Sequence, residues 1–181
     1  MSDKKKILIV IDMQHDFVDG SLGSEAAQAI VPKVEAKIAS GEYDHIYFTL
    51  DTHNERYLDT LEGKKLPVSH CIIETPGWQL AINGGNKGIR ISKNTFGFTN
   101  WVYEIRFGFD DMNDVEDQDI EFEICGLCTD ICVISNALIL RADFKDSVII
   151  CDASCCAGTT LEAHKAALTV MKSCQIDVIN E

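Results

Sequence analysis

Residues 126–132 read GLCTDIC and stand between an apolar, β-branched run at 120–125 and a helical pattern that continues to about residue 143. A short apolar run, a glycine and then a helix indicate a buried strand that ends in a turn at a helix N-terminus. Five further runs complete the set of predicted strands: residues 7–11, 45–50, 88–92, 147–151 and 176–179. Because these runs are nearly continuous rather than alternating, they are typical of a parallel sheet covered on both faces. The pattern predicts an α/β fold with a mostly parallel six-stranded sheet.

Helical patterns lie between the predicted strands. They cover residues 32–40, 130–143 and 160–173, with a weaker one at 100–107. Pro32 indicates the first turn of its helix, because the missing N–H of a proline would have no partner there anyway. Residues 51–87 form a long connection with little apolar periodicity, and such connections in compact domains are usually functional or disordered. This one contains two of the five histidines, which favours a functional interpretation.

The length and the net charge of the chain limit the number of domains and the kinds of partner that we expect. The chain has 181 residues, and we expect a single domain over residues 1–181. Its formal net charge of -13 argues against nucleic acid or an anionic membrane as a partner. Part of this acidity lies at residues 110–117 (DDMNDVED), which we interpret as a solvated loop.

The N-terminal residues MSDKKK lead directly into five apolar residues, a run too short for a signal-peptide core or a membrane span. We therefore expect a cytoplasmic protein. In a reducing compartment the eight cysteines would be thiols rather than a disulfide framework. Secretion by an unusual route and a vicinal disulfide between Cys155 and Cys156 are the alternatives.

Polar side chains follow four of the predicted strands. Asp12 comes after the first strand, Asp51 and His53 after the second, Lys93 after the third, and Cys132 soon after the fourth. The carboxyl ends of parallel strands lie at one edge of a sheet, where ligands bind in this class of fold. Each residue alone has a plain explanation, such as a capped turn or a solvated lysine. Their coincidence predicts an active site at this edge.

Cys132 is the best-placed nucleophile among the eight cysteines. It would lie in the first turn of a helix, where unpaired N–H groups and the helix dipole lower the pKa of a thiol and can hold an oxyanion. A nearby aspartate could take the thiol proton, while a lysine favours the ionised forms. The alternative is a small buried helix residue. The spacing of Cys125, Cys128 and Cys132 also resembles an iron–sulfur motif, but a fourth cysteine at suitable spacing is missing.

A second group of residues has the composition of a metal site. Asp51 and His53 are separated by one residue on a chain that we expect to be extended. His70 lies further along the same long connection, and Glu62 lies between His53 and His70. Nitrogen and oxygen ligands of this kind suit zinc, manganese or iron. The alternative is that His53 and His70 are surface loop residues.

Several motifs recur in a fixed order along nearly the full chain. They are IDMQHDF at residues 11–17, DTH at 51–53, HC at 70–71 followed by TPG at 75–77, SK at 92–93 leading to FGF at 96–98, and GLCTDICV at 126–133. With them the chain resembles the isochorismatase-like cysteine hydrolases, and among these the nicotinamidases. The resemblance implies a three-layer α/β/α, Rossmann-like fold.

The same resemblance implies a catalytic triad of Asp12, Lys93 and Cys132. In such enzymes the cysteine attacks an amide carbonyl, ammonia leaves with a proton relayed by the aspartate, and water hydrolyses the thioester. A cis peptide bond before Cys128 would aim the backbone N–H groups of Cys128 and Cys132 at the oxyanion. Phe17 matches an aromatic residue that packs on a pyridine ring.

The metal residues select the subfamily within this resemblance. Isochorismatases and ureido or carbamoyl amidases usually lack the ion, whereas nicotinamidases bind it and use it to hold the pyridine nitrogen. Asp51, His53 and His70 match the positions of those ligands, and Glu62 resembles an extra carboxylate ligand of some members. The resemblance implies a bound divalent metal, with zinc preferred and manganese or iron as alternatives.

Two departures from the family pattern bear on the substrate. Many nicotinamidases have a tryptophan shortly before the histidine that His70 matches, whereas this chain has LPVS at residues 66–69. Ring stacking is then weaker or comes from another residue, with Trp78 and Phe98 as candidates. Cys128 replaces a usual alanine and adds a second thiol near the site.

These observations together predict a nicotinamidase that hydrolyses nicotinamide to nicotinate and ammonia in NAD salvage. Its expected partner is a small-molecule amide substrate, and the resemblance suggests a homo-oligomer. One alternative is another amidohydrolase of the same superfamily, acting on a pyrazinamide-like, ureido or carbamoyl compound. A more distant alternative is a non-catalytic metal or thiol sensor.

Overall fold

The computed structural model describes residues 4–181. Residues 1–3, part of the predicted domain and of the N-terminal MSDKKK segment, lie outside the described residues. Six parallel strands form one sheet in the order β3-β2-β1-β4-β5-β6. They are β1 (Lys5–Ile11), β2 (His45–Asp51), β3 (Ile89–Lys93), β4 (Ile120–Leu127), β5 (Val148–Ala157) and β6 (Asp177–Ile179). Six strands lie where they are predicted, although β5 continues six residues beyond its predicted end at residue 151. The sheet is wholly rather than mostly parallel.

Helices cover both faces of this sheet, which confirms the predicted α/β fold. They are α1 (His15–Val18), α2 (Glu25–Ala39), α3 (Leu61–Lys65), α4 (Trp101–Phe107), α5 (Ile134–Asp143) and α6 (Leu161–Ser173). α2 packs on β4 and β5, whereas α5 lies between α4 and α6 and contacts both. No helix within residues 4–181 is long and apolar enough to cross a membrane.

Strand β1 lies at the centre of the sheet, and its position decides where the site forms. Its residues from Ile7 to Ile11 are apolar and fully buried, as expected for a strand covered on both faces. Burying each such side chain stabilises the fold by roughly 1.5–3 kcal/mol. In the register, Ile11 lies beside Thr49 of β2 and Gly126 of β4. The strand order reverses between β1 and β4, which is where open α/β sheets bind ligands.

Helix α2 begins earlier than predicted. It starts at Glu25, with the Ser24 hydroxyl accepting a hydrogen bond from the Ala27 N–H, and Pro32 lies in its interior rather than in its first turn. An interior proline removes one backbone hydrogen bond from a helix. The helix nevertheless continues because one of its faces is buried in the core. The buried residues are Ala27, Ile30, Val34 and Ile38.

The predicted helix at residues 130–143 has two parts. A π-helical turn covers Thr129–Val133 and leads into α5. The predictions for α4 and α6 are correct to within one residue, because Asn100 and Thr160 cap these helices rather than belong to them. The long connection over residues 51–87 contains α3 and two 3₁₀ turns.

The acidic segment 110–117 is largely exposed, but it is not simply a solvated loop. Met112 is fully buried, Asp111 pairs with Lys5 at 2.7 Å, and Asp117 pairs with Arg106. The segment therefore packs on the body of the protein. The sequence did not show this because charge alone does not reveal which side chains have partners.

Candidate active site

Asp12 follows β1 directly and is fully buried. Its backbone has φ +48, the left-handed region, which aspartate tolerates better than most residues. Its Oδ1 accepts a hydrogen bond from the Thr49 hydroxyl at 2.6 Å, and its Oδ2 lies 2.6 Å from Lys93 Nζ. Both carboxylate oxygens are thereby fixed in place.

Lys93 ends β3 and connects the two groups of site residues that the sequence predicts. The register places Lys93 beside Asp51, and its Nζ lies 3.7 Å from Asp51 Oδ1. The same Nζ lies 3.7 Å from Cys132 Sγ. The structure therefore brings Asp12, Lys93 and Cys132 together, although more than 100 residues separate the aspartate from the cysteine.

Cys132 lies in the π-helical turn after β4. Its carbonyl accepts a hydrogen bond from Asn136 Nδ2 at 2.8 Å, which holds the turn in position. The peptide bond between Leu127 and Cys128 is cis, as the family resemblance predicts. Cys128 lies directly after the end of β4, and Cys132 lies in the π-helical turn that follows it.

Burial and neighbouring charges shift the pKa values of Cys132, Asp12 and Lys93. Burial raises the pKa of the Cys132 thiol well above its ordinary value, the Asp12 carboxylate raises it further, and Lys93 opposes both effects. The expectation that the helix start lowers this pKa is therefore not met in the free site, because burial and the Asp12 carboxylate outweigh the opposing charge of Lys93. Burial also raises the pKa of Asp12, against the opposing effect of Lys93. Burial lowers the pKa of Lys93, but its anionic neighbours raise it by more and keep it protonated.

The four residues of the predicted metal group also converge. One ligand atom from each of Asp51, His53, Glu62 and His70 can be chosen so that all four lie within 4.8 Å of one another. His53 Nε2 lies 2.9 Å from Asp51 Oδ2, and His70 Nε2 lies 3.5 Å from the same oxygen. A parallel bridge between His53 and Ile72 brings the segment around His53 beside the segment that follows His70.

These residues fit a divalent metal ion. His70 Nδ1 lies 2.8 Å from the Val68 carbonyl, so donation of its N–H to this carbonyl leaves Nε2 free to bind an ion. Burial raises the pKa of Asp51, but hydrogen bonds with His53 and His70 outweigh burial and keep it below its ordinary value. Two imidazoles and two carboxylates form a ligand set that suits zinc, manganese or iron.

Two side chains beyond the predicted site residues support this group. The buried Gln14 accepts a hydrogen bond from Asp51 N at 2.7 Å, and its Nε2 donates to the carbonyls of Asp51 at 2.9 Å and of Trp78 at 2.8 Å. Asp16 accepts a hydrogen bond from Cys71 N at 2.7 Å, beside His70. Both residues belong to the IDMQHDF motif, which was the only signal available.

A cavity of about 390 Å³ joins the two groups of residues. Cys132 and Cys128 line it together with the metal-group residues Asp51, Glu62 and His70. The other lining side chains are largely apolar and include Phe17, Leu22, Leu66, Phe96 and Ile131. The Phe17 ring lies 5.4 Å from the His70 ring. The cavity therefore gives a small molecule simultaneous access to a thiol and to the metal-group residues.

Trp78 and Phe98, the suggested ring-stacking residues, do not line this cavity. The Trp78 ring N–H donates to the Thr52 hydroxyl at 2.8 Å, and Phe98 packs edge-on against Trp101. Phe17 and Phe96 are the aromatic residues that reach the cavity. The departure from the family tryptophan is therefore not compensated by either of the two suggested residues.

The remaining cysteines form no metal group within the described part of the chain. Cys125 is buried in β4. The metal-ligand group found among the described residues contains no cysteine. The iron–sulfur interpretation of Cys125, Cys128 and Cys132 is therefore not supported. All eight cysteines are free thiols, including Cys155 and Cys156.

Comparison with known proteins assigns the class of this fold and site. The family model described as the isochorismatase domain matches residues 6–104. The chain therefore belongs to the isochorismatase family. The matched region contains Asp12, Lys93 and the four metal-group residues, and it ends before Cys132. No curated protein sequence matches the chain.

Solved structures with this fold include several amidases. The pyrazinamidase of Pyrococcus horikoshii in complex with zinc has a TM-score of 0.81 at 27% identity, covering 98% of this chain and 99% of that one. The pyrazinamidase/nicotinamidase of Streptococcus mutans has a TM-score of 0.76 at 26% identity, covering 96% and 99%. PnC1 from L. infantum in complex with nicotinate has a TM-score of 0.82 at 18% identity, covering 99% and 94%, and shows the shared fold alone.

Proposed function

We propose that this protein is a nicotinamidase, which hydrolyses nicotinamide to nicotinate and ammonia through a thioester on Cys132. The observation that carries the proposal is the single cavity lined by both Cys132 and the metal-ligand group. The structural likeness to the zinc-bound pyrazinamidase of Pyrococcus horikoshii supports it. In the cell this reaction would serve NAD salvage, and we propose the cytoplasm as its location.

In this mechanism Asp12 acts as the base. Because the thiol pKa is raised, Cys132 is protonated in the free site, and its proton passes to the Asp12 carboxylate as sulfur attacks the amide carbon. The raised pKa of Asp12 makes it a competent acceptor. Protonated Asp12 then donates to the leaving nitrogen, and ammonia departs. Lys93 stays charged throughout and stabilises whichever of the two partners is anionic.

In the second half of the reaction the same residues hydrolyse the thioester and regenerate the Cys132 thiol. Water gives a proton to Asp12 as its oxygen attacks the thioester carbon, and Asp12 returns this proton to the departing thiolate of Cys132. We assign the backbone N–H groups of Cys128 and Cys132 to the oxyanion of both tetrahedral intermediates. Their position at the start of the helical segment supports this assignment.

Asp51, His53, His70 and Glu62 would hold the divalent ion, for which we propose zinc. When bound, it would act as a Lewis acid toward a ring nitrogen and so orient the substrate. Phe17 would pack against the ring, because it lines the same cavity beside His70. This arrangement favours a nitrogen-containing aromatic amide over a ureido or carbamoyl compound, which has no ring nitrogen to bind.

Ammonia release from nicotinamide by zinc-loaded protein tests the proposal. We expect turnover by the wild type and by Cys174→Ala, and loss of at least about 10³-fold in kcat for Cys132→Ala. Pyrazinamide and a carbamoyl compound, assayed in parallel, separate nicotinamidase from the other amidohydrolases of the family. Absence of nicotinamide turnover would contradict the proposal. Equal function of Cys132→Ala and wild type would favour a metal or thiol sensor.

A further inference from the structure

We propose that Asn136 is a positioning residue for the reaction of Cys132. Its side-chain amide joins the turn that carries the thiol to the cavity wall that carries Phe96. The inference rests on the proposed function, because it concerns how the nucleophile and the substrate ring would be placed relative to each other. Asn136 does not line the reaction cavity, so it would act through these two neighbours rather than on the substrate.

The amide of Asn136 is fully buried and uses all of its hydrogen-bonding capacity. Its Nδ2 donates to the carbonyls of Cys132 at 2.8 Å and of Phe96 at 3.2 Å. Its Oδ1 accepts from the backbone N–H of Phe98 and from the ring N–H of Trp101, both at 3.0 Å. A side-chain amide offers two N–H donors and two acceptor lone pairs. The four partners therefore fix the amide in one orientation, since each of them can bond to only one end of it.

These four partners belong to two separate segments of the chain. Cys132 lies in the π-helical turn after β4. The other three lie within residues 94–101, which follow Lys93 and end with the first residue of α4. The two segments are closely packed here, because a Cβ placed on Gly97 would lie 2.4 Å from Ile139 Cδ1 of α5. The amide therefore links the segment that follows the charged lysine directly to the turn that carries the thiol.

The position of Phe96 depends on this link. Phe96 lines the reaction cavity but is 48% exposed, so the packing of its ring does not by itself fix its position. Its backbone is held instead, because its carbonyl and the N–H of Phe98 both bond to the amide of Asn136. Loss of the amide would therefore release this wall of the cavity as well as the turn that carries Cys132.

Two substitutions of Asn136 separate these two contacts. A serine hydroxyl in a helix can donate to the carbonyl four residues earlier, as Ser135 does to Ile131 at 2.6 Å. Asn136→Ser would therefore keep a donor to the Cys132 carbonyl and lose the three bonds to residues 94–101. Asn136→Ala would lose all four bonds.

Steady-state kinetics of zinc-loaded protein with nicotinamide test the link. We expect Asn136→Ala to lower kcat about 30-fold, because a small displacement of a nucleophile has a large effect on rate, and Asn136→Ser to restore kcat to within about threefold of wild type. Both variants should raise KM about fivefold, because both release Phe96. The control is Ser147→Ala, which removes a buried hydrogen bond to the Asp117 carbonyl outside the cavity and should change neither constant.

Alkylation of Cys132 by iodoacetamide tests the link without turnover. Mass spectrometry would measure its rate relative to that of Cys174, which lies outside the cavity. The thiolate is the reacting form, and Lys93 Nζ, 3.7 Å from the sulfur, favours it. Asn136→Ala should slow alkylation about threefold or more, because the sulfur would no longer be held beside this charge. Asn136→Ser should stay within about twofold of the wild-type rate.

The outcomes distinguish this link from the proposed function. Unchanged kcat or an alkylation rate at or above wild type in folded Asn136→Ala overturns the link, even if nicotinamide is hydrolysed. Equal losses of kcat in the two variants, or an unchanged KM in Asn136→Ser, overturn it as well, and the serine variant provides this test if Asn136→Ala does not fold. Slow alkylation of Asn136→Ala that Asn136→Ser restores, in a protein without nicotinamide turnover, supports the link and overturns the function.

Discussion

Lys93 is the residue through which the two parts of the candidate site interact. Its Nζ contacts Asp12 at 2.6 Å and lies 3.7 Å from both Cys132 Sγ and Asp51 Oδ1. A cation so placed offsets the mutual repulsion of two buried carboxylates. In the proposed mechanism, this cation would allow Asp12 to take part in proton transfer although it is buried beside a second carboxylate, that of Asp51.

Residue positions could be predicted better than residue roles. Asp12, Lys93 and Cys132 could be identified because each lies at or soon after the end of a strand, and parallel strands end at one edge of the sheet. Gln14 could not, because an amide side chain carries no charge and its partners are backbone atoms distant in sequence. The direction of the Cys132 pKa shift could not be predicted from the sequence, because the burial that raises this pKa depends on elements distant along the chain.

Replacement of Gln14 by leucine tests its role in holding Asp51. Gln14→Leu removes three hydrogen bonds and leaves the Asp51 backbone N–H and carbonyl without these partners. We expect zinc affinity to fall by about 10–100-fold, as for other groups that orient metal ligands. Competition with a chromophoric chelator measures this affinity.

The control is Gln28→Leu, which replaces a glutamine on the exposed face of α2 and should leave the zinc affinity unchanged. Unchanged zinc affinity in folded Gln14→Leu would contradict the role assigned to Gln14.

At the scale of elements, the strands were easier to predict than the helix starts. Buried strands show as apolar runs, and all six were found. The start of α2 is harder to predict because Pro32 indicates a first turn, although Ala27 and Ile30 continue the apolar spacing of Val34 and Ile38 toward the N-terminus. The π-helical turn at Thr129–Val133 had no sequence signal, because its residues also suit an ordinary α-helix.

The end of β4 depends on a glycine. Gly126 has φ +122, and a Cβ placed there would lie 2.1 Å from the Ile11 carbonyl oxygen. Gly126→Ala should destabilise the fold by about 3 kcal/mol or more, since both the backbone conformation and the contact with β1 resist the change. Urea unfolding measures this loss.

Gly41 provides the matched control for that substitution. It also has a positive φ, +74, but a Cβ there would meet nothing within 4 Å. Gly41→Ala should therefore cost only about 1 kcal/mol, from backbone conformation alone. Equal losses for the two variants would show that the close approach to Ile11 contributes nothing.

At the scale of the whole molecule, a partly buried ion network joins α2 to the sheet. Lys37 of α2 pairs with Asp152 of β5 at 2.8 Å and with Glu123 of β4. Burial raises the pKa of Asp152, but hydrogen bonds with Lys37, Ser154 and Asn180 outweigh it and lower the pKa overall. The unfolded chain therefore binds a proton at this position more readily than the native protein.

This shift predicts how stability depends on pH. Because the native pKa of Asp152 is lowered, its contribution is present above the ordinary carboxyl pKa of 3.8 and is lost as the pH falls through the native value. Asp152→Asn should cost about 2 kcal/mol at pH 7 and flatten the acid limb of stability against pH. Urea titrations between pH 3 and 7 test this. Asp177→Asn, at an exposed position of β6, should keep the wild-type profile, and an unchanged acid limb in Asp152→Asn would contradict the assignment.

Because the strand order reverses between β1 and β4, the two halves of the chain contribute different residues to the candidate site. Asp12, Lys93 and all four metal-group residues precede residue 94, and the second half contributes Cys132. In the proposed reaction, the metal-group residues and the nucleophile are thus encoded in separate segments, which the pairing of β4 with β1 brings together. Substitutions after residue 120 would then change the proposed nucleophile and its oxyanion contacts without changing the residues of the metal group.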